Sequence, residues 1–143
     1  MAVGDILKEQ NLVVEVLPVK SGEDIEKGEI CIVNSGAIAA ASTDVGPYYM
    51  ACDAFVAATY SAGGYTDPVR AAGNLRFVKQ GYVEVQASLA GGAVEKGDYL
   101  EVSSTAGEVQ LSDLTHEHDA VGVAEEAALT TDTTIKMTIG QFT

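Results

Sequence analysis

Apolar and polar positions alternate in short runs along this chain, and the runs are separated by clusters of Gly, Asn, Ser and Asp. The alternation is clearest in Tyr82–Gln86 and in Thr133–Ile139. A period of two between turn residues is typical of strands with one buried face, and no long stretch keeps the helical period. Strands and turns at roughly 8–12-residue spacing predict an all-β fold, a compact barrel or sandwich.

The pattern also divides the chain. Residues 1–11 show no clear period and are predicted to form a flexible N-terminal arm, followed by a single β domain over residues 12–143. Residues 56–74 carry Gly-Gly and Pro punctuation and are predicted to be a long central loop inserted into that domain, with Asp53 capping a helical turn just before it. The expected strands are 12–17, 29–33, 37–41, 48–52, 75–78, 82–86, 108–111, 120–125 and 133–139, with one more before 108–111, inside residues 94–106.

One segment occurs twice. Residues 25–37 and residues 94–106 each consist of an apolar residue, Glu-Lys-Gly, an acidic residue, a short hydrophobic strand and a small polar turn. The Lys-Gly step supplies a tight turn with positive φ, and the run after it supplies a half-buried strand. The repeat predicts two copies of one β-hairpin design.

Composition and charge restrict the partners. The chain is 47% hydrophobic with only 6% aromatic residues and no Trp, which indicates a core of small and β-branched side chains. The net charge is −13, and the eight basic residues are scattered. Nucleic acid and anionic membranes both require clustered Lys and Arg, so neither is expected as a direct partner. No apolar run approaches the ~20 residues that span a bilayer, and the start of the chain lacks a signal peptide pattern, so we expect a cytoplasmic protein.

Candidate chemistry is sparse. His116-Glu117-His118-Asp119 has metal-ligand residue types, but it falls in a predicted acidic loop and the chain has no third His. The carboxylate pairs Glu125-Glu126 and Glu117–Asp119 are expected to be surface charge. Glu125 and Glu126 are adjacent on a predicted strand and point to opposite faces, so they cannot share one substrate. There is no Gly-x-Ser-x-Gly elbow and no phosphate-binding loop. We therefore expect no enzyme activity and no catalytic, cofactor-binding or metal residues.

The two cysteines and the segment Val94–Leu100 can each be interpreted as structural or as functional. Cys31 and Cys52 form no Cys-x-x-Cys motif and are expected to be reduced, Cys31 in the core. The Val-x-Lys-Gly-Asp-x-Leu segment at Val94–Leu100 also occurs in biotinyl and lipoyl carrier domains, which present a modified lysine at a hairpin tip. Lys136 is the nearest match, but it lies on a predicted strand, so the carrier interpretation is the weaker one.

From Leu75 onward, the order of motifs resembles that of tailed-phage capsid decoration, or cement, proteins, which are sometimes labelled phage recombinases. The family pattern has a Gly-x-Val-x-Val strand, a Val-x-Lys-Gly-Asp-x-Leu turn and strand, a Thr-Ala-Gly-like turn, a Val-Gly-Val-Ala strand and an alternating terminal strand. The corresponding segments here are Gly81–Val85, Val94–Leu100, Thr105–Gly107, Val121–Ala124 and Thr134–Ile139.

This resemblance implies a protein that binds the outer surface of an icosahedral head and stabilises it against the pressure of internal DNA. Its implied partners are the major capsid protein and further copies of itself, commonly in a homotrimer. It would be found in the virion, and in the host cytoplasm before assembly. The N-terminal arm is expected to add to a neighbour's sheet edge.

The alternative from another class is a receptor-binding or glycan-binding head-fibre module. Such a module needs an aromatic-lined pocket. Four tyrosines near the long loop are the candidates for that lining: Tyr48, Tyr49, Tyr60 and Tyr65.

Overall fold

The computed structural model describes residues 3–4, 6–113 and 120–140, with only the backbone described over residues 6–11. Within these ranges the chain is almost entirely β-structure, which confirms the predicted class. The strands are β1 (Ile6–Pro18), β2 (Ile30–Val33), β3 (Ala37–Ala39), β4 (Tyr49–Ala51), β5 (Asn74–Gln86), β6 (Tyr99–Val102), β7 (Val109–Leu111), β8 (Gly122–Ala124) and β9 (Thr134–Ile139). Two short helices, α1 (Ala57–Ser61) and α2 (Pro68–Ala71), lie between β4 and β5.

The nine described strands form one antiparallel sheet that curls into a half-barrel. Its order is β3-β2-β4-β5-β9-β8-β6-β7, and β1 pairs with the free side of β5. No helix in the described ranges is long and apolar enough to cross a membrane.

Three features differ from the sequence prediction. β1 begins at Ile6, so residues 6–11, which were assigned to a free arm, form the first part of this strand and pair irregularly with β5. This part of β1 is a strand because it forms backbone hydrogen bonds with β5, and the local sequence pattern of residues 6–11 gives no sign of that pairing. The segments around 75–78 and 82–86 form one continuous strand through Gly81. The inserted loop over 56–74 contains α1 and α2, and Val56 rather than Asp53 precedes the first helix.

The sequence repeat is a structural repeat. Gly28 donates its backbone N–H to the Ala51 carbonyl at 2.9 Å, and Gly97 donates to Ala124 at 2.8 Å. Both glycines have positive φ, 86° and 95°, as the Lys-Gly turn requires. The bridge between Ile25 and Phe55 likewise has a counterpart between Val94 and Ala128. The similarity therefore extends well beyond the repeated segment.

The flanking strands extend the repeat further. β1 pairs with β5 from Val14↔Val78 to Pro18↔Asn74, and β5 pairs with β9 from Tyr82↔Thr138 to Gln86↔Thr134. Each unit thus has an opening strand, a hairpin, a return strand and a closing strand. We call residues 14–55 with 74–78 unit 1, and residues 82–128 with 134–138 unit 2. β5 closes the first unit with its first half and opens the second with its last half.

The core shows how the units stack. Unit 1 has its own apolar cluster, which includes Ile25, Cys31, Phe55 and Phe77. The equivalent residues of unit 2 belong to a larger cluster that also contains Ile30, Ile32 and Met50 from the other face of unit 1. Unit 2 is therefore covered by unit 1. Backbone hydrogen bonds join the two at the β6–β7 turn, where the Gly107 carbonyl accepts from Ile30 at 2.8 Å and its N–H donates to Ala40 at 2.9 Å.

Candidate functional site

The chemically distinctive residues do not converge in the described part of the chain. No group of three or more His, Cys, Asp or Glu side chains in residues 3–4, 6–113 and 120–140 is arranged to hold a metal ion. The motif His116-Glu117-His118-Asp119, with its Glu117–Asp119 pair, lies outside the described residues, so the prediction that it is solvated loop stays a prediction.

Glu125 and Glu126 lie just after β8 rather than within it, so the expectation of opposite strand faces does not apply to them. They nevertheless contact different groups. Glu125 accepts a hydrogen bond from the Thr138 hydroxyl at 2.7 Å, whereas Glu126 accepts from the Lys136 backbone at 3.3 Å. Each carboxylate is engaged in fixing β9 to the preceding turn, which is a structural arrangement.

Lys136 lies inside β9, as predicted, and not at a hairpin tip. Its ammonium group lies 3.7 Å from a carboxylate oxygen of Glu126. Carrier domains present their lysine on an exposed tip, so this placement does not fit that interpretation.

Both cysteines are free thiols. Cys31 is buried in the unit 1 cluster, and burial together with the nearby Glu29 carboxylate raises its pKa above the ordinary thiol range. Burial and the neighbouring Asp53 raise the pKa of Cys52 to about 11. Thiolates are the nucleophilic form of cysteine, so neither residue has the properties of a reactive site at neutral pH.

The four candidate tyrosines do not line one pocket. Tyr48 and Tyr49 are both buried but belong to different clusters, because they point to opposite faces of the sheet. Tyr49 contacts Phe77 edge-on, with ring centroids 6.2 Å apart. Tyr60 and Tyr65 instead both contact Phe55, at centroid distances of 5.5 and 5.6 Å. The predicted aromatic site is therefore divided between the core and the inserted segment.

The inserted segment is the most elaborate surface feature of the described chain. Phe55, 3% exposed, projects from the end of unit 1 and contacts both Tyr60 and Tyr65. The Tyr65 hydroxyl accepts a hydrogen bond from the Val56 backbone at 2.7 Å, and the Arg70 guanidinium lies 4.7 Å from the Tyr65 ring centroid. Through these contacts the inserted segment packs against the unit 1 cluster.

Charged groups tie the same segment to the sheet. Asp67 accepts hydrogen bonds from the Val69 backbone at 3.2 Å, from Arg70 at 3.1 Å and from Arg76 on β5 at 3.4 Å. Partial desolvation opposes ionisation, but these donors together keep the pKa of Asp67 below its usual range. Asp24 makes a further contact with this segment. Its carboxylate accepts a hydrogen bond from the Ala57 N–H at 2.8 Å and caps α1 from 33 residues away.

The surface of the described residues has several concave regions. A groove of about 260 Å³ runs between the inserted helices and the turn after β1, and its lining includes Lys20, Ser21, Tyr60 and Asn74. A second cavity of about 290 Å³ lies at the junction of the units, between Tyr48 and Ile139. Both linings mix apolar and polar groups, and neither contains a cluster of titratable side chains. The two cavities therefore do not indicate a particular reaction.

A carboxylate cluster lies where unit 2 contacts unit 1. Glu29 accepts a hydrogen bond from the Glu26 backbone at 2.7 Å and packs beside Gly107. Burial is the main cause that raises the pKa of Glu29, and the charges of Glu26 and Glu108 add to it. Burial and Glu26 also raise the pKa of Glu108. Sequence analysis missed this cluster, because its members come together only when the two units stack.

No family model and no curated protein matches this chain. Among solved structures, the chain is similar to the N base of the head fiber gp8.5 of bacteriophage phi29, with a TM-score of 0.55 at 14% sequence identity. The match covers 90% of this chain and 93% of that one, so it includes both units and not the repeat alone. At this identity the similarity is one of fold: the molecule shares the architecture of a phage head-fibre base.

Proposed function

We propose that this protein is a structural component of a tailed-phage head, bound to the outer surface of the shell, where it acts as a decoration or cement protein. The observation that carries the proposal is the fold similarity to a phage head-fibre base over 90% of the chain. It agrees with the independent resemblance of residues 75–143 to cement proteins, which rests on sequence motifs. The proposed partners are the major capsid protein and two further copies in a homotrimer.

The described surfaces suit such a role. The two stacked units form a continuous sheet, so surface residues are held at fixed positions relative to one another. Several weak contacts made by a rigid oligomer add through effective concentration, which allows firm attachment without a large single interface. The net charge of −13 would keep free copies apart until a shell with complementary charge binds them.

The test uses expanded heads assembled without this protein. Purified protein is added over a range of concentrations, bound copies are counted after sedimentation, and DNA release on heating is followed by a dye. We expect saturation at a fixed number of copies per head and DNA release at a higher temperature. Absence of saturable binding would refute a head-surface role, while binding without a thermal shift would refute cementing alone.

A second candidate, the base of a head fibre, is favoured by the identity of the structural neighbour. A base module would bind heads without stabilising them and would carry a distal fibre protein. Co-purification of a second phage protein with the bound copies would favour this candidate over cementing. Glycan recognition is not supported by the tyrosines, because Tyr48 and Tyr49 are in the core.

A further inference from the structure

The side of β1 that faces away from β5 is a sheet edge with no partner strand among the described residues. In the described ranges, β1 pairs only with β5. Three valines on it are well exposed: Val13 at 40%, Val14 at 44% and Val16 at 53%. Val19 donates its N–H to Gly73 on the β5 side at 3.0 Å, and inward and outward groups alternate along an antiparallel ladder. Val14 and Val16 therefore direct their backbone N–H and C=O groups away from β5.

The internal repeat indicates that this edge is built to be covered. The positions in unit 2 that correspond to Val14 and Glu15 are Tyr82 and Val83, the start of its opening strand. Tyr82 and Val83 pair with β9 on one side and with residues 8 and 6 of β1 on the other. At these two positions of unit 2 both sides of the opening strand are thus paired, whereas at Val14 and Glu15 of unit 1 no described residue pairs with the outer side. The occupant of the equivalent edge is an antiparallel strand of this same chain.

The bare edge is also short. Register shifts between Lys8 and Val13 interrupt the strand at one end. Pro18 ends it at the other, because proline lacks an N–H to donate to an added strand. Because these interruptions leave only a short stretch of edge, they favour pairing between two copies and oppose the addition of strand after strand into a fibre. The only charged side chain within the open stretch, Glu15, is paired with Lys79 at 3.6 Å, so its charge is partly compensated.

We propose that the outer edge of β1 binds the same edge of a second copy, antiparallel and about a two-fold axis, through Val13–Val16. A two-fold contact pairs both edges at once. In the register that puts Val14 opposite Val16 of the second copy, valines are cross-strand neighbours on one face, and on the other face Glu15 lies opposite the second copy's Glu15, each beside its own Lys79. The contact does not depend on the proposed function; if the protein is trimeric on a head, it would join neighbouring trimers. Because each copy carries −13, added salt should strengthen the contact.

The experiment is sedimentation of the full chain at concentrations from about 1 µM to about 1 mM, in low salt and in 0.5 M salt, a range suited to a weak small interface. Val16→Pro removes an outward N–H while leaving the inner ladder intact, and Val14→Lys places a charge on the edge. Val33→Lys is the matched control, because Val33 is 49% exposed on a different strand. Circular dichroism checks that all variants fold.

We expect a concentration-dependent doubling of mass that is favoured by salt. Val16→Pro and Val14→Lys should each weaken it by at least about tenfold, and Val33→Lys should leave it unchanged. Constant mass at every concentration and salt would overturn the proposal, as would equal loss in the Val33→Lys control. If the edge variants keep wild-type self-association but lose binding to heads, the occupant is the shell protein and self-pairing is refuted.

Discussion

Units 1 and 2 share turns, strand order and register, yet their apolar clusters are covered in different ways. Unit 2 packs against the second face of unit 1, whereas the cluster of unit 1 is covered by the inserted segment with α1 and α2. Phe55 anchors that segment, and its counterpart in unit 2 is Ala128. A unit of this size cannot bury its apolar cluster by itself. When two units stack, the cluster of one of them remains uncovered and needs a further segment to shield it from solvent.

The second face of unit 2 shows the complementary solution. The residues equivalent to Ile30, Ile32 and Met50 are Tyr99, Glu101 and Val123, and they are only half-buried. Polar contacts occupy this face, including the hydrogen bond from Gln110 to Glu101 at 3.2 Å. A polar last face ends the stack, as terminal repeats do in other repeat architectures.

The largest effect is expected for Phe55→Ala, which gives unit 1 the residue that unit 2 has. The substitution leaves a cavity beneath Tyr60 and Tyr65, so the free energy of unfolding in urea should fall by about 3–5 kcal/mol. Leu129→Ala, at a residue 68% exposed next to Ala128, is the control and should change it by no more than about 0.5 kcal/mol. Equal effects of the two substitutions would show that the inserted segment does not cover the core. If Phe55→Ala does not fold, Phe55→Leu should give a smaller loss.

A second difference between the units lies on the return strands. Tyr49 of β4 contacts Phe77, but the equivalent position on β8 is Gly122, facing Met137. A Cβ at Gly122 would overlap the Met137 methyl and the Thr138 carbonyl oxygen. Gly122→Ala should therefore lower the free energy of unfolding by about 1–3 kcal/mol, because the backbone carbonyl cannot move aside.

The control for this substitution is Gly91→Ala, since a Cβ there meets nothing within 4 Å. Chemical denaturation of both variants measures the difference. A Gly122→Ala protein as stable as the control would mean that β8 and β9 are farther apart than the strand register indicates.

The smallest effect concerns Glu29 and its counterpart Asp98, which make the same hydrogen bond to the backbone three residues earlier. The pKa of Glu29 is raised in the folded protein, so the carboxyl favours folding when protonated and this contribution is lost as the pH rises through the raised pKa. Glu29→Gln keeps the acceptor and should make the protein more stable than the wild type at pH 7.

The gain should shrink as the pH falls through the raised pKa and vanish below the ordinary carboxyl range. Asp98→Asn is the matched control and should give no gain at pH 7. Thermal melts from pH 7 to about pH 3, which extends below the ordinary carboxyl range, measure both variants. If the extra stability of Glu29→Gln were independent of pH, the raised pKa of Glu29 in the carboxylate cluster could not be its cause.

The sequence predicted most of the strands and both Lys-Gly turns, because turn chemistry and period-two alternation are local properties. It could not predict that β5 belongs to both units, since that depends on pairing with β1 and β9 at opposite ends of the chain. The sequence also could not predict the hydrogen bond from Ala57 to Asp24 or the stacking of Tyr65 on Phe55, because the fold brings these residues together. The difference between Phe55 and Ala128 was visible in the sequence, but its meaning required the structural equivalence of the two units.

The proposed function requires this protein to occupy the outer surface of a phage head. The most direct measurement is a cryo-EM reconstruction of purified virions, with the bound proteins counted by mass spectrometry. We predict this chain in a fixed ratio to the shell protein and ordered external density that fits the nine-stranded sheet. Virions that contain none of the chain, or density for it only inside the head, would contradict the claim.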